Sequence, residues 1–172
     1  RFEIPLTPDI SPYGKKHVRF HYKSEEIGDH SAVLPRVEII GATTKNTEDR
    51  INEYILEMYQ DVVAWTAEKD EAIAKGLEKD FVFSVLLYPF CSVRDGYISV
   101  SFGADYLEEG PTLWEGTEVV RGGVYSIETG ELIDLKESIT DAWMFWNGKV
   151  IVRFADGTEK LFLLEEILAG GK

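Results

Sequence analysis

"AWMFWNGKVIVRFADGTEKLFL", residues 142–163, decides the fold class. The dipeptides Asn147-Gly148 and Asp156-Gly157 cut it into three short runs rich in strand-forming residues. Asn-Gly and Asp-Gly suit the positive φ angles of a two-residue hairpin turn, so the stretch reads as a three-stranded antiparallel meander. Asp95-Gly96 repeats the signal between residues 81–93 and 97–102. "VYSIETGELIDLKESI", residues 124–139, reads as strand, Thr129-Gly130 turn, short strand and one helical turn through Lys136-Glu137-Ser138. Nearer the start, "KKHVRFHYK" and "AVLPRVEIIG" alternate as strands do, with Pro35 marking an edge or a bulge.

Between these strands the period changes. Ile51, Ile55, Met58, Val62 and Trp65 recur at steps of four and three, which places them on one face of a helix over about 46–75. Asn46 or Thr47 can cap its first turn, Glu48 and Asp49 suit the positive end of its dipole, and Gly76 supplies a stop. A parallel pair of strands needs a crossover helix, and only one helix is long enough. The expected class is therefore α+β, a largely antiparallel sheet with this helix on one face. Residues 1–14, with Pro5, Pro8 and Pro12, read as an extended lead-in or linker, and 15–172 as one domain acting as a monomer.

Composition narrows the partners. The net charge of −13, from 31 acidic and 18 basic residues, disfavours nucleic acid and anionic membranes and permits a cationic partner. No stretch approaches the roughly 18 apolar residues of a membrane span. The chain starts at Arg1, so an anchor or signal upstream is expected to have been lost. The single cysteine, Cys91 in "YPFCSV", cannot form an intrachain disulfide or a multi-cysteine metal site, and its expected role is that of a small buried apolar group.

Catalytic patterns do not assemble. His17 and His21 have the spacing of a helical metal pair but sit in a strand pattern, where positions i and i+4 lie about 13 Å apart. His30, in "GDHS", is expected in an exposed turn. No histidine is accompanied by a nucleophile motif, and Arg121-Gly122-Gly123 opens no helix as a phosphate loop would. Carboxylate pairs such as Glu108 with Glu109 arise readily in so acidic a chain. No catalytic residue, metal or cofactor is expected.

Two binding surfaces are expected instead. The stretch "ADYLEEGPTLWEGTE" reads as a recognition loop presenting Tyr106, Trp114 and Glu115. On the helix, Asp49, Glu53, Glu57 and Asp61 recur every four residues opposite the apolar stripe, as a strip able to dock a cationic partner.

"VLPRVEIIGATTKNTEDRINEYI", "GYISVSFGADY", "VYSIETGELIDLKESI" and "WMFWNGKVIVRF" together resemble the domain-of-unknown-function family 3298 with its frequent partner family 4163. These domains occur in anti-sigma factors of the RsiV kind and beside polysaccharide deacetylases. The chain departs from that pattern at "EEGPTLWEGTEVVRGG", where relatives carry a Gly-Gly-Ala-His segment; Trp114, Glu115 and Gly116 stand roughly in its place. The resemblance implies a non-catalytic extracytoplasmic binding or sensing domain, secreted or membrane-anchored, that recognises a cationic cell-wall-active protein such as lysozyme. The alternative is an accessory domain that contacts cell-wall glycan through Trp114 and neighbouring tyrosines.

Overall fold

A computed structural model describes residues 3–5, 17–28, 30–40, 45–76, 82–108, 114–135 and 137–170. In chain order these form β1 (Glu3–Pro5), β2 (His17–Ile27), β3 (His30–Ile40), α1 (Lys45–Ala74), β4 (Val82–Arg94), β5 (Tyr97–Glu108), β6 (Trp114–Ser126), β7 (Ile139–Met144), β8 (Lys149–Phe154), β9 (Glu159–Leu163) and α2 (Leu164–Gly170). Strands β1 to β6 make a six-stranded sheet in sequence order, and β7 to β9 a three-stranded one. The class is α+β, as the turn dipeptides and the single long amphipathic stretch require. Part of the expected lead-in is structured: β1 pairs with β2, with Pro5 opposite His21 on an edge strand where a missing N–H is tolerated.

Among the described residues every strand pairing is antiparallel but one. β3 and β4 run parallel through a single pair, Ser31 with Leu86, and α1 is the crossover between them. Beyond that pair the backbone of β3 is completed by the helix. Asn52 accepts from the Val37 amide (2.8 Å) and donates to its carbonyl (2.9 Å), and Glu48 accepts from the Ile39 amide (3.0 Å). A buried strand amide must find a partner, and here two helix side chains stand in for a neighbouring strand.

The face of α1 read from the sequence is the buried one: Ile51, Ile55, Met58 and Val62 are in the core, and Trp65 packs against it with Lys69 over its ring. Tyr59 and Thr66 share this burial; Thr66 turns its hydroxyl back to the Val62 carbonyl (3.0 Å) and so adds no unmet polar group. The helix opens at Lys45, which puts Asn46 and Thr47 in the first turn rather than at the cap. It stops at Gly76, whose φ of +68° few other residues adopt readily.

The small sheet covers part of the opposite face of the large one, a layer that the sequence reading did not include. β5 alternates strictly: Ile98, Val100 and Phe102 face the helix core, while Ser99 accepts from the Met144 amide of β7 (2.8 Å). Ser92 of β4 donates to the Met144 carbonyl (2.6 Å). Gly122 is needed between the layers, because a Cβ there would stand 2.8 Å from the Ala142 carbonyl oxygen. A second core, including Val124, Ile133, Val150, Val152 and Leu164, fills the space under α2.

The turns differ in detail from expectation. Asp95 and Gly96 both have positive φ, 48° and 85°, as a two-residue hairpin turn requires. At Asn147-Gly148 and Asp156-Gly157 only the glycines do, each at 87°. Both are longer loops, closed by Gly148 N–H to Phe145 O and Gly157 N–H to Phe154 O (2.9 Å each). The Asn147 and Asp156 side chains cap the loops by accepting from the amides two residues on (3.1 and 2.9 Å). The hairpin at Thr129-Gly130 forms, with Tyr125 bridged to Leu132. The helical turn expected after it does not: Asp134, Leu135, Glu137 and Ser138 are irregular, because Ile133, Leu135 and Ile139 are drawn in extended form into or against the second core.

Candidate functional site

The acidic strip on α1 resolves into two kinds of carboxylate. Glu53 and Glu57 are exposed one turn apart and meet no basic side chain among the described residues. Asp61, expected in the same docking strip, is instead a structural strut: it pairs with Arg121 of β6. Its neighbours on the helix offer no cation, so the partner had to come from another strand, which sequence spacing could not reveal.

That pair opens a chain of charges across the layers. Arg121 donates from Nε to Asp141 of β7 (2.6 Å), a buried carboxylate that also accepts from the Gly122 amide (2.9 Å). Its other oxygen lies 3.4 Å from Arg153 of β8, which in turn reaches Glu159 of β9 (3.0 Å). Arg153 also donates to the carbonyls of Val119 (2.8 Å) and Val120 (3.2 Å), at the irregularity where β6 bulges against Phe102 and Gly103. These carbonyls belong to the free edge of the large sheet, so the arginine caps an edge as well as a charge. It also lies 5.2 Å above the ring of Trp143. Burial works against the charge on Arg121, but Asp141 and Asp61 outweigh it and hold the guanidinium above its ordinary value.

The expected recognition loop is mostly strand. Tyr106 lies on β5 opposite Gly116, and Trp114 and Glu115 begin β6 opposite Glu108 and Leu107. The hairpin ladder continues further than Gly110 and Pro111 suggested; only 109–113 separate the strands, outside the described residues, as do the side chains of Tyr106, Trp114 and Glu115. The structure therefore does not bring these three together with Glu53 and Glu57 in one described site.

The histidines take structural positions. His17 and His21 both lie on β2, and His21 bonds to Glu38 of β3 (3.1 Å), which holds that carboxyl below its usual range. His30 is buried rather than exposed in a turn: its Nε2 reaches both oxygens of Asp70 (2.8 and 3.0 Å), tying the β2–β3 hairpin to the far end of α1. A hairpin lying along a thirty-residue helix is covered even at its tip, and local composition could not show that. Cys91 is partly buried, and burial pushes its thiol up to about 12, so it stays protonated and a poor nucleophile at neutral pH. Among the described residues no three metal-ligating side chains converge, and neither His21 nor His30 holds a hydroxyl or thiol that it could activate.

One surface escaped the sequence reading. Trp146 is 83% exposed, and Phe145 is exposed beside it at 44%. Beside them lies a solvent-open pocket lined by Arg94, Asp95, Asn147, Gly148, Leu163, Leu164 and Glu165. The composition of "AWMFW" suggests strand to its end, but the last ladder pair is Met144 with Val150, so Phe145 and Trp146 belong to the loop. The clue was the glycine: a single left-handed residue after a longer turn shifts the hairpin limits by two positions. No protein-family profile matches this chain, and no curated protein is detectably similar to it.

Proposed function

We propose that the domain is a non-catalytic binding or sensing module that acts outside the cytoplasm, secreted or membrane-anchored, and takes a cationic protein, such as a lysozyme-like cell-wall enzyme, on the outward face of α1. The observation that carries this is the pair Glu53 and Glu57, exposed and making no ion pair among the described residues, since the nearby Arg50 is engaged with Glu131, on a chain of net charge −13. Like charges four residues apart cost a helix a few tenths of a kcal/mol. A partner's lysines or arginines would relieve that repulsion and steer encounter. The extracytoplasmic setting and the lysozyme-like partner are what the motif resemblance to family 3298 implies.

The test is surface plasmon resonance against lysozyme over a range of salt, with Glu53→Lys and Glu57→Lys combined. The reversal should slow association roughly tenfold at low salt and flatten its salt dependence, with the melting curve unchanged because both positions are exposed. Association that is equally fast and equally salt-sensitive in the variant would remove the α1 face from the reading. Asp61 is left intact in this test, since it holds Arg121.

A further inference from the structure

We infer that the tip of the β7–β8 hairpin is a carbohydrate site, which stacks one ring of a neutral glycan on Trp146 and receives its hydroxyls in the adjoining pocket. This site is separate from the α1 face and does not depend on the reading given to it.

The first support is how Trp146 is held. Trp146, 83% exposed, adjoins the exposed Phe145, and an aromatic patch of this kind left open is a common mark of a binding surface. Here its backbone is fixed from several sides. Arg94 donates to the Trp146 carbonyl (2.9 Å), Phe145 N–H reaches Lys149 O (2.8 Å), and Leu164 N–H at the start of α2 reaches Gly148 O (2.8 Å). Gly148 is needed for its φ of +87°, and a Cβ there would also push the end of the Arg94 side chain aside. The β4–β5 turn, the β7–β8 turn and the start of α2 are thereby locked together, and the exposed indole is presented on a rigid base. Rigid presentation lowers the ordering cost of binding.

The second support is the chemistry of the pocket. Arg94, 3.5 Å from Asp95, has donors left beyond its bond to Trp146 O, Asp95 and Glu165 supply acceptors, and the Asn147 side chain, whose oxygen already meets the Lys149 amide, supplies its N–H groups. A ligand of one sign would be repelled by one part of this set. A hydroxyl donates and accepts at once, so a polyhydroxylated ring can satisfy both kinds of group, while its apolar C–H face lies on the indole. Leu163 adds an apolar edge to the same pocket.

The experiment is a titration of isotope-labelled protein at high ionic strength, where charge-steered contacts are screened, followed by NMR. The probes are neutral oligomers of glucose and of N-acetylglucosamine, with tetramethylammonium as the cationic comparison. The Trp146 indole N–H and the Gly148 amide should shift saturably with at least one oligosaccharide. Trp146→Ala should weaken that binding at least about tenfold, and Trp146→Phe should retain part of it. The variant with Glu53→Lys and Glu57→Lys should bind the sugar as the unmodified chain does, which keeps failure here distinct from failure of the α1 reading. The inference is overturned if neither oligosaccharide moves these resonances, if tetramethylammonium moves them and sugars do not, or if Trp146→Ala binds with unchanged affinity.

Discussion

The two faces of the large sheet are joined to their neighbours by different physics. On the helix side Ile51, Ile55 and Val62 meet Val18, Val37 and Ile98, all at most 1% exposed. On the other side the contacts over β4 to β6 include Val124 in the second core, but also Ser92, Ser99, Gly122 and the Asp141 carboxylate. Apolar burial is strong and non-directional; it holds layers together but specifies their offset weakly. Hydrogen bonds between a serine and a strand's backbone, or a carboxylate between two arginines, are met in one position only. The small sheet, which shares an apolar core with Val124, is set in its offset by these polar contacts, while the helix is held mainly by apolar ones.

Three substitutions, in descending order of effect, and one control probe that contrast. Ile55→Asp puts a carboxylate without a partner where the residue is 1% exposed. It should cost about 4 kcal/mol or more and unfold the domain or sharply lower its melting temperature; an unchanged melting curve would mean that the helix does not pack this way. Asp141→Ala leaves Arg121 and Arg153 facing each other without the carboxylate, and chemical denaturation should show a loss of about 3–5 kcal/mol. Asp61→Ala, at the exposed end of the same chain, serves as its control and should cost under about 1 kcal/mol. Equal losses would place the anchor on the helix rather than between the sheets. Ser99→Ala strands the buried Met144 amide and should cost about 1–3 kcal/mol. Hydrogen exchange at Met144 should quicken while Val37 stays protected, and parallel changes at both would mean that the two faces open as one.

This contrast also explains what was legible beforehand. The helix, its buried stripe and the β4–β5 turn follow from local rules of period and φ, and Ile51 to Val62 and Asp95-Gly96 obey them. Ser92 and Ser99 look like ordinary solvent-facing strand residues, because alternation shows which residues face away from the first core and not what meets them there. Asp141, Arg121 and Arg153 are separated by 20 and 12 residues, and no spacing rule links them. The candidate site suffered similarly. Glu53 and Glu57 were readable from helical period alone, whereas the role of Asp61 depended on a strand sixty residues away, and Trp146 on which of two turn geometries an Asn-Gly pair adopts.

The lone parallel pairing of β3 with β4 carries one more consequence. The β3–α1–β4 connection crosses over within the large sheet, so a single cut between Gly76 and Val82 would leave two pieces contiguous in sequence, with the hairpins of each intact. Neither piece would be threaded through the other. Across the seam they share one ladder pair, the Asn52 and Glu48 bonds lie wholly in the first piece, and what remains to be restored is apolar contact with the Asp61–Arg121 and Arg50–Glu131 ion pairs. The chain is built as two halves that meet side by side, and its continuity at the seam is a matter of local concentration more than of architecture.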